Sequence, residues 1–146
     1  MELVIREVAE GDWAAWHTLW DGYNRFYGSD ISAEITQHTW QRLRDPHSAV
    51  HCRVAVADGC VVGFAMIVLH EGTWVTSPIC YLEDLFVAAE MRGQGIARRL
   101  IQALVAEGKS AGWSRLYWHT AQNNPARNLY DEFTPADEYV RYRMNL

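Results

Sequence analysis

No apolar run in the chain approaches the roughly 20 residues that a membrane-spanning helix needs, so no membrane partner is expected. The start, Met1-Glu2-Leu3-Val4-Ile5-Arg6, has no basic region followed by a long apolar one, and no signal peptide is visible. Cysteine is scarce. Cys52, Cys60 and Cys80 are odd in number and lack the paired spacing of a zinc site, which points to free thiols in a cytoplasmic protein without a metal. Basic residues are in the minority, 13 against 18 acidic ones, and the formal net charge is -5. That balance argues against nucleic acid as a partner and suits a cationic substrate. There is no internal repeat, no low-complexity tract and no linker rich in Pro, Gly or Ser. The 146 residues therefore read as one domain, 1–146, large enough for a real core.

What the chain does contain is a regular succession of elements. Residues 2–8 read as a strand. Residues 12–26 read as a helix with Trp13, Trp16 and Trp20 on one face, more suited to a core than to a cofactor. A second helix over 32–44 is ended by Pro46. Two β-rich runs, 51–57 and 60–70, join at Asp58-Gly59, a strong hairpin signal. A strand over 79–87 leads to a helix over 95–111, with Gly112 as its C-cap. A strand over 114–120 follows, then a helix from Asn124-Pro125 to near Phe133, and a last strand over 138–145. The order β-α-α-β-β-β-α-β-α-β implies an α/β (α+β) architecture, a mixed sheet with helices on both faces.

One stretch carries chemistry directly. Arg92-Gly93-Gln94-Gly95-Ile96-Ala97 lies between the apolar run Tyr81–Val87 and a helix. A helix start leaves N–H groups unpaired and carries partial positive charge, and glycines admit a phosphate close to the backbone. A nucleotide P-loop is excluded because no Gly-Lys-Ser/Thr is present, and a dinucleotide fingerprint lacks its third glycine.

Three segments together resemble the GCN5-related N-acetyltransferases (GNAT superfamily). The loop matches that family's Arg/Gln-x-x-Gly-x-Gly/Ala. Leu82-Glu83-Asp84-Leu85-Phe86-Val87 resembles its central strand. Asn123-Asn124-Pro125-Ala126-Arg127-Asn128-Leu129-Tyr130 is similar to its Asn-x-x-Ala-x-x-Leu-Tyr segment. Gly112–Thr120 and Tyr139–Arg143 look closer to the subgroup with yeast enzymes acting on histones, polyamines and D-amino acids. The Leu-Glu-Asp strand also resembles the diamine acetyltransferases. The family often follows its tyrosine with Gly-Phe, whereas Asp131-Glu132-Phe133-Thr134-Pro135 stands here.

The resemblance implies a central, mostly antiparallel, splayed sheet and an acetyl-CoA-dependent N-acetyltransferase. It also implies a homodimer as a possible assembly. Acetyl transfer to an amine needs a held thioester, a neutral amine, a stabilised oxyanion and a protonated leaving thiolate. Backbone N–H groups at Gly93, Gln94, Gly95, Ile96, Ala97 and Arg98, in the loop opened by Arg92, would hold the cofactor pyrophosphate. Leu85, Phe86 and Val87 would flank its pantetheine arm, beside a β-bulge that frees a backbone donor. Glu83 is the candidate general base, since an alkylamine with pKa about 10.4 must lose a proton before attack; its other reading is a group that only attracts the cation. Strand alternation points Glu83 and Asp84 to opposite faces, so that one of them lines the site. Tyr130 is the candidate general acid, or else a buried structural tyrosine. Asn123 would bond the cofactor arm.

Tyr23, Phe26 and Tyr27, with Asp21, Asp30 and Glu83, form the candidate acceptor pocket for a cationic amine, against a plain packing role. His119 reads as structural, and Cys80 is not placed to carry an acetyl group, which favours direct transfer in a ternary complex. A small-molecule amine, polyamine or amino acid is the preferred acceptor. The alternatives are a protein or histone lysine, or an acyl-CoA-binding sensor without turnover.

Overall fold

The computed structural model describes residues 1–146. Five strands form one sheet in the order β1 (Leu3–Glu7), β2 (Val50–Ala57), β3 (Cys60–His70), β4 (Ile79–Val87) and β5 (Arg115–Tyr117). Neighbours run antiparallel, except the parallel pair β4–β5. Helices α1 (Trp13–Phe26) and α2 (Ala33–Arg44) pack on one face, and α3 (Ile96–Ala111) packs on the other. A single short turn of helix, α4 (Arg127–Tyr130), follows β5. No helix is long and apolar enough to cross a membrane.

Local chemistry accounts for most boundaries. Asp58 and Gly59 both take positive φ, 48° and 84°, which is the backbone a two-residue hairpin turn requires. Ser32 caps α2, its hydroxyl accepting from the Ile35 N–H at 3.2 Å. Gly112 ends α3 in the left-handed region, and its N–H and that of Trp113 both return to the Gly108 carbonyl.

Two cores flank the sheet. Trp16, Leu19 and Trp20 of α1 and Leu43 of α2 bury against Cys52, Val54, Phe64 and Met66. Ile96, Leu100, Ile101 and Leu104 of α3 bury against Ala55, Ala65, Ile67, Cys80 and Leu82. Gly63 lies where β3 presses on β4: a Cβ there would stand 2.9 Å from the Phe86 carbonyl oxygen. Gly63→Ala is expected to cost about 1–3 kcal/mol, read as a lower denaturant midpoint. An unchanged midpoint would show slack between these strands.

Three expectations are corrected. The strand over 138–145 does not form: the sheet ends at β5, and residues 134–146 are exposed and unpaired in any ladder. The strand over 114–120 shrinks to Arg115–Tyr117, because its partner β4 matches it only at Ile79–Tyr81 and then diverges. That divergence is the splay that the resemblance implied. The helix from Asn124 to Phe133 becomes a run of turns around α4, in which N–H groups reach back three residues more often than four.

A fourth correction bears on the site. The β3–β4 register shifts between Met66 and Ile67: Met66 faces Asp84, Ile67 faces Leu82, and Glu83 is the extra residue of a bulge. Alternation therefore fails at this point. Leu82 and Leu85 both join the α3-side core, while Glu83 and Asp84 both act on Tyr23 and Tyr81 on the opposite side. The two carboxylates share a face.

Candidate active site

The loop after β4 is shaped by two glycines. Gly93 has φ 78° and Gly95 has φ 81°, and Gly95 is the N-cap of α3. The first helical bond runs from the Arg99 N–H to the Gly95 carbonyl at 3.0 Å. The N–H groups of Ile96, Ala97 and Arg98 thus have no carbonyl behind them in the helix. Side chains brace the loop on both flanks. Arg92 Nε donates to the Val87 carbonyl at 3.0 Å, and its guanidinium lies over the rings of Phe86 and Phe26, 5.2 and 5.7 Å from their centroids. Arg98 makes two bonds to the Glu132 carboxylate, at 3.0 and 2.9 Å.

A cavity of about 590 Å³ opens where β4 leaves β5. Its floor is Leu85, Phe86 and Val87, and the glycine loop closes one end. Beyond Tyr81 the edge of β4 that faces β5 has no strand partner, so its backbone groups open toward this space. Tyr130 lines the far wall beside Leu129, its ring set edge-on to Trp118 at 5.6 Å. Burial, and then the neighbouring Tyr27, push the Tyr130 phenol above its ordinary value, so it stays protonated at neutral pH.

The face of β4 toward α1 is acidic and aromatic. Tyr23 continues the aromatic row of α1, 5.8 Å from Phe86, and Gly22 lets the helix approach: a Cβ there would meet the Phe86 ring at 3.3 Å. Burial pushes Asp84 up to about 6, the nearby Tyr23 hydroxyl works against the rise, and Glu83 adds to it. Burial and the Asp84 charge hold the Tyr23 phenol well above its ordinary value, which makes it a donor. The paired elements thus set a titratable carboxylate beside a permanent donor, outside the cavity lining.

The acetyltransferase (GNAT) family profile matches residues 13–134. The chain belongs to that family. It is similar to the D-amino-acid N-acetyltransferase HPA3 of Saccharomyces cerevisiae, 27% identical over 98% of this chain and 91% of the relative. It is 34% identical to an aminoglycoside N(6')-acetyltransferase type 1 of Stenotrophomonas maltophilia, over 77% of this chain and 71% of the other. Among solved structures, a ribosomal-protein-alanine N-acetyltransferase from Brucella melitensis shares the fold, with TM-score 0.84 at 21% identity over 99% of this chain and 100% of that one.

In this acetyltransferase most of the residues picked from sequence come together. Leu85, Phe86, Val87, Arg92, Gly93, Gly95, Ile96, Ala97, Arg98 and Tyr130 line one cavity, joined by Phe26 and Tyr27. Gln94 is exposed on the outside of the loop. Asn123 is also exposed, and its neighbour Asn124 lines the cavity instead, with Nδ2 donating to Thr120 Oγ1 and Oδ1 accepting from the Ala126 N–H, both at 2.9 Å. Tyr23 and Glu83 stand just beyond the lining. Met91, Pro125 and Ala126 also line the cavity; as small or apolar loop residues they carry no sequence signal for that place. Asp84 also stands outside the lining, and the bulge that puts it on the same face as Glu83 depends on β3. Cys80 is fully buried on the α3 side, its thiol pushed up to about 12 by burial, which removes it as a nucleophile.

Proposed function

We propose that this acetyltransferase takes acetyl-CoA as donor and moves the acetyl group directly to the primary amine of a small molecule. The observation that carries the reading is the single cavity running from the glycine loop, past the open edge of β4, to Tyr130, with Glu83 and Asp84 next along β4 from its floor residue Leu85. The donor set fits the cofactor: unpaired N–H groups of Ile96, Ala97 and Arg98 suit a pyrophosphate, and an apolar floor suits a pantetheine arm. When bound, acetyl-CoA would supply the activated thioester. Open backbone N–H groups of β4 near Leu85 would donate to the oxygen that gains charge. Glu83 draws the ammonium, and the Glu83–Asp84 pair takes its proton before the C–N bond forms. Tyr130 would give its proton to the departing sulfur as the C–S bond breaks, and would regain one from the nitrogen, which sheds its second proton as the amide forms. The acceptors in the relatives' names, D-amino acids and aminoglycosides, support a small-molecule amine. With Cys80 buried, nothing favours an acetyl-cysteine.

The test is release of CoA from acetyl-CoA by the intact protein, across a panel of amines. Amine-dependent release is the expected result; cofactor binding with no release for any amine would favour a sensor. Gly95→Val puts a β-branched residue at φ 81°. It is expected to raise the acetyl-CoA Kd about tenfold by reshaping the helix start, as read by calorimetry. An unchanged Kd would take the loop out of donor binding.

A further inference from the structure

The C-terminal stretch forms no strand, yet one side chain of it reaches back to the acceptor side. Arg141 Nη1 donates to His119 Nε2 at 2.8 Å, and the Tyr81 hydroxyl lies 3.1 Å from the same nitrogen. Tyr81 stacks on His119 and on Tyr117, with centroids 5.4 and 5.0 Å apart. This strip lies on the open face of β4. Tyr81 pairs with Val68 and Asp84 with Met66, alternate residues of β3, so Tyr81 and the two carboxylates share that face. Glu83 acts on both Tyr81 and His119, and so does Arg141.

Two features make Arg141 available. No carboxylate of the chain pairs with it. A guanidinium has five N–H donors, and His119 occupies one of them. His119 is itself held below the ordinary imidazole value, by burial and by Arg141, so it accepts rather than repels. An exposed cation is thus fixed at one end of a short aromatic floor whose other end carries two carboxylates.

We propose that Arg141 is a specificity residue that binds the carboxylate of the acceptor, and that the acceptor is a free α-amino acid. Its ammonium would sit at Glu83 and Asp84, and its carboxylate at Arg141. The strand sets the scale of the span. Tyr81 and Glu83 are about 7 Å apart along the strand. An α-amino acid with a charged hydrogen bond at each end bridges roughly 8 Å. A diamine would set its second cation against Arg141, and the ε-amine of a protein lysine would bring no carboxylate within reach.

The inference rests on the acetyltransferase reading above, and the experiment separates the two. CoA release is measured with matched acceptors: leucine in both hands, leucinamide, 3-methylbutylamine and 1,4-diaminobutane, for the intact protein and for Arg141→Gln and Arg141→Lys. The wild-type protein is expected to prefer one hand of leucine to its amide by about tenfold or more in kcat/KM, the worth of a charged hydrogen bond. Arg141→Gln is expected to bring that ratio toward one, chiefly through KM, and Arg141→Lys to restore part of it. An amide or diamine used as well as leucine by the wild type would overturn the proposal and leave the transferase reading intact. An equal loss for acid and amide in Arg141→Gln would also overturn it. No release with any acceptor would remove both readings.

Discussion

Tyr130→Phe is expected to lower kcat by about 10²-fold or more while the acetyl-CoA Kd moves by less than about threefold. The ring stays, so the edge-on packing against Trp118 and the wall of the cavity are kept. The hydroxyl goes, and with it the proton that the proposed mechanism gives to the leaving sulfur. A thiolate near pKa 8.5 and an ordinary phenol near about 10 are close enough for transfer. Burial lifts Tyr130 further, which keeps the proton on the oxygen until sulfur demands it. The split between kcat and Kd is what distinguishes an acid from a packing residue: a structural tyrosine would lose both together. Unchanged turnover would remove Tyr130 from the mechanism.

The second large effect is expected at the bulge. Asp84→Asn should lower kcat/KM by about 10²-fold and abolish an acidic limb near pH 6, whereas Glu83→Gln should act mainly by raising the amine KM. The sign follows from the proton. The carboxylate accepts only when ionised, so the rate rises with pH through about 6 in the wild type. Stability runs the other way. Burial raises the folded value of Asp84 above the unfolded one, so the folded state holds the proton more tightly. Stability therefore falls as pH rises from the ordinary carboxylate range through about 6. Asp84→Asn is expected to raise Tm at pH 7.5 and to change it little at pH 4. A limb that persists in Asp84→Asn and vanishes in Glu83→Gln would transfer the base to Glu83.

How much of this was legible beforehand depended on the range of the interactions. The glycine loop is local: two positive-φ residues and a helix start are written in six consecutive positions, and they fold as read. The Asp58-Gly59 hairpin is local for the same reason. The shared face of Glu83 and Asp84 is not local. It is created by the shift of Met66 and Ile67 against β4, and an alternating pattern within β4 carries no trace of it. Residues 138–145 show the converse. Tyr139, Val140 and Tyr142 suit a strand, but a strand needs a ladder partner, and the sheet offers only the three residues of β5 at that edge. Asn123 and Asn124 differ by a single step in a turn, and the hydrogen bonds that Asn124 donates to Thr120 and accepts from Ala126 decide which of them faces the cavity.

The most direct test of direct transfer is a single-turnover rapid-quench experiment with acetyl-labelled acetyl-CoA and an amine that supports CoA release. Direct transfer predicts label passing from cofactor to amine with none on the protein at any time, and CoA appearing only when the amine is present. Label accumulating on the protein before the amine is added, with a stoichiometric burst of CoA, would contradict it.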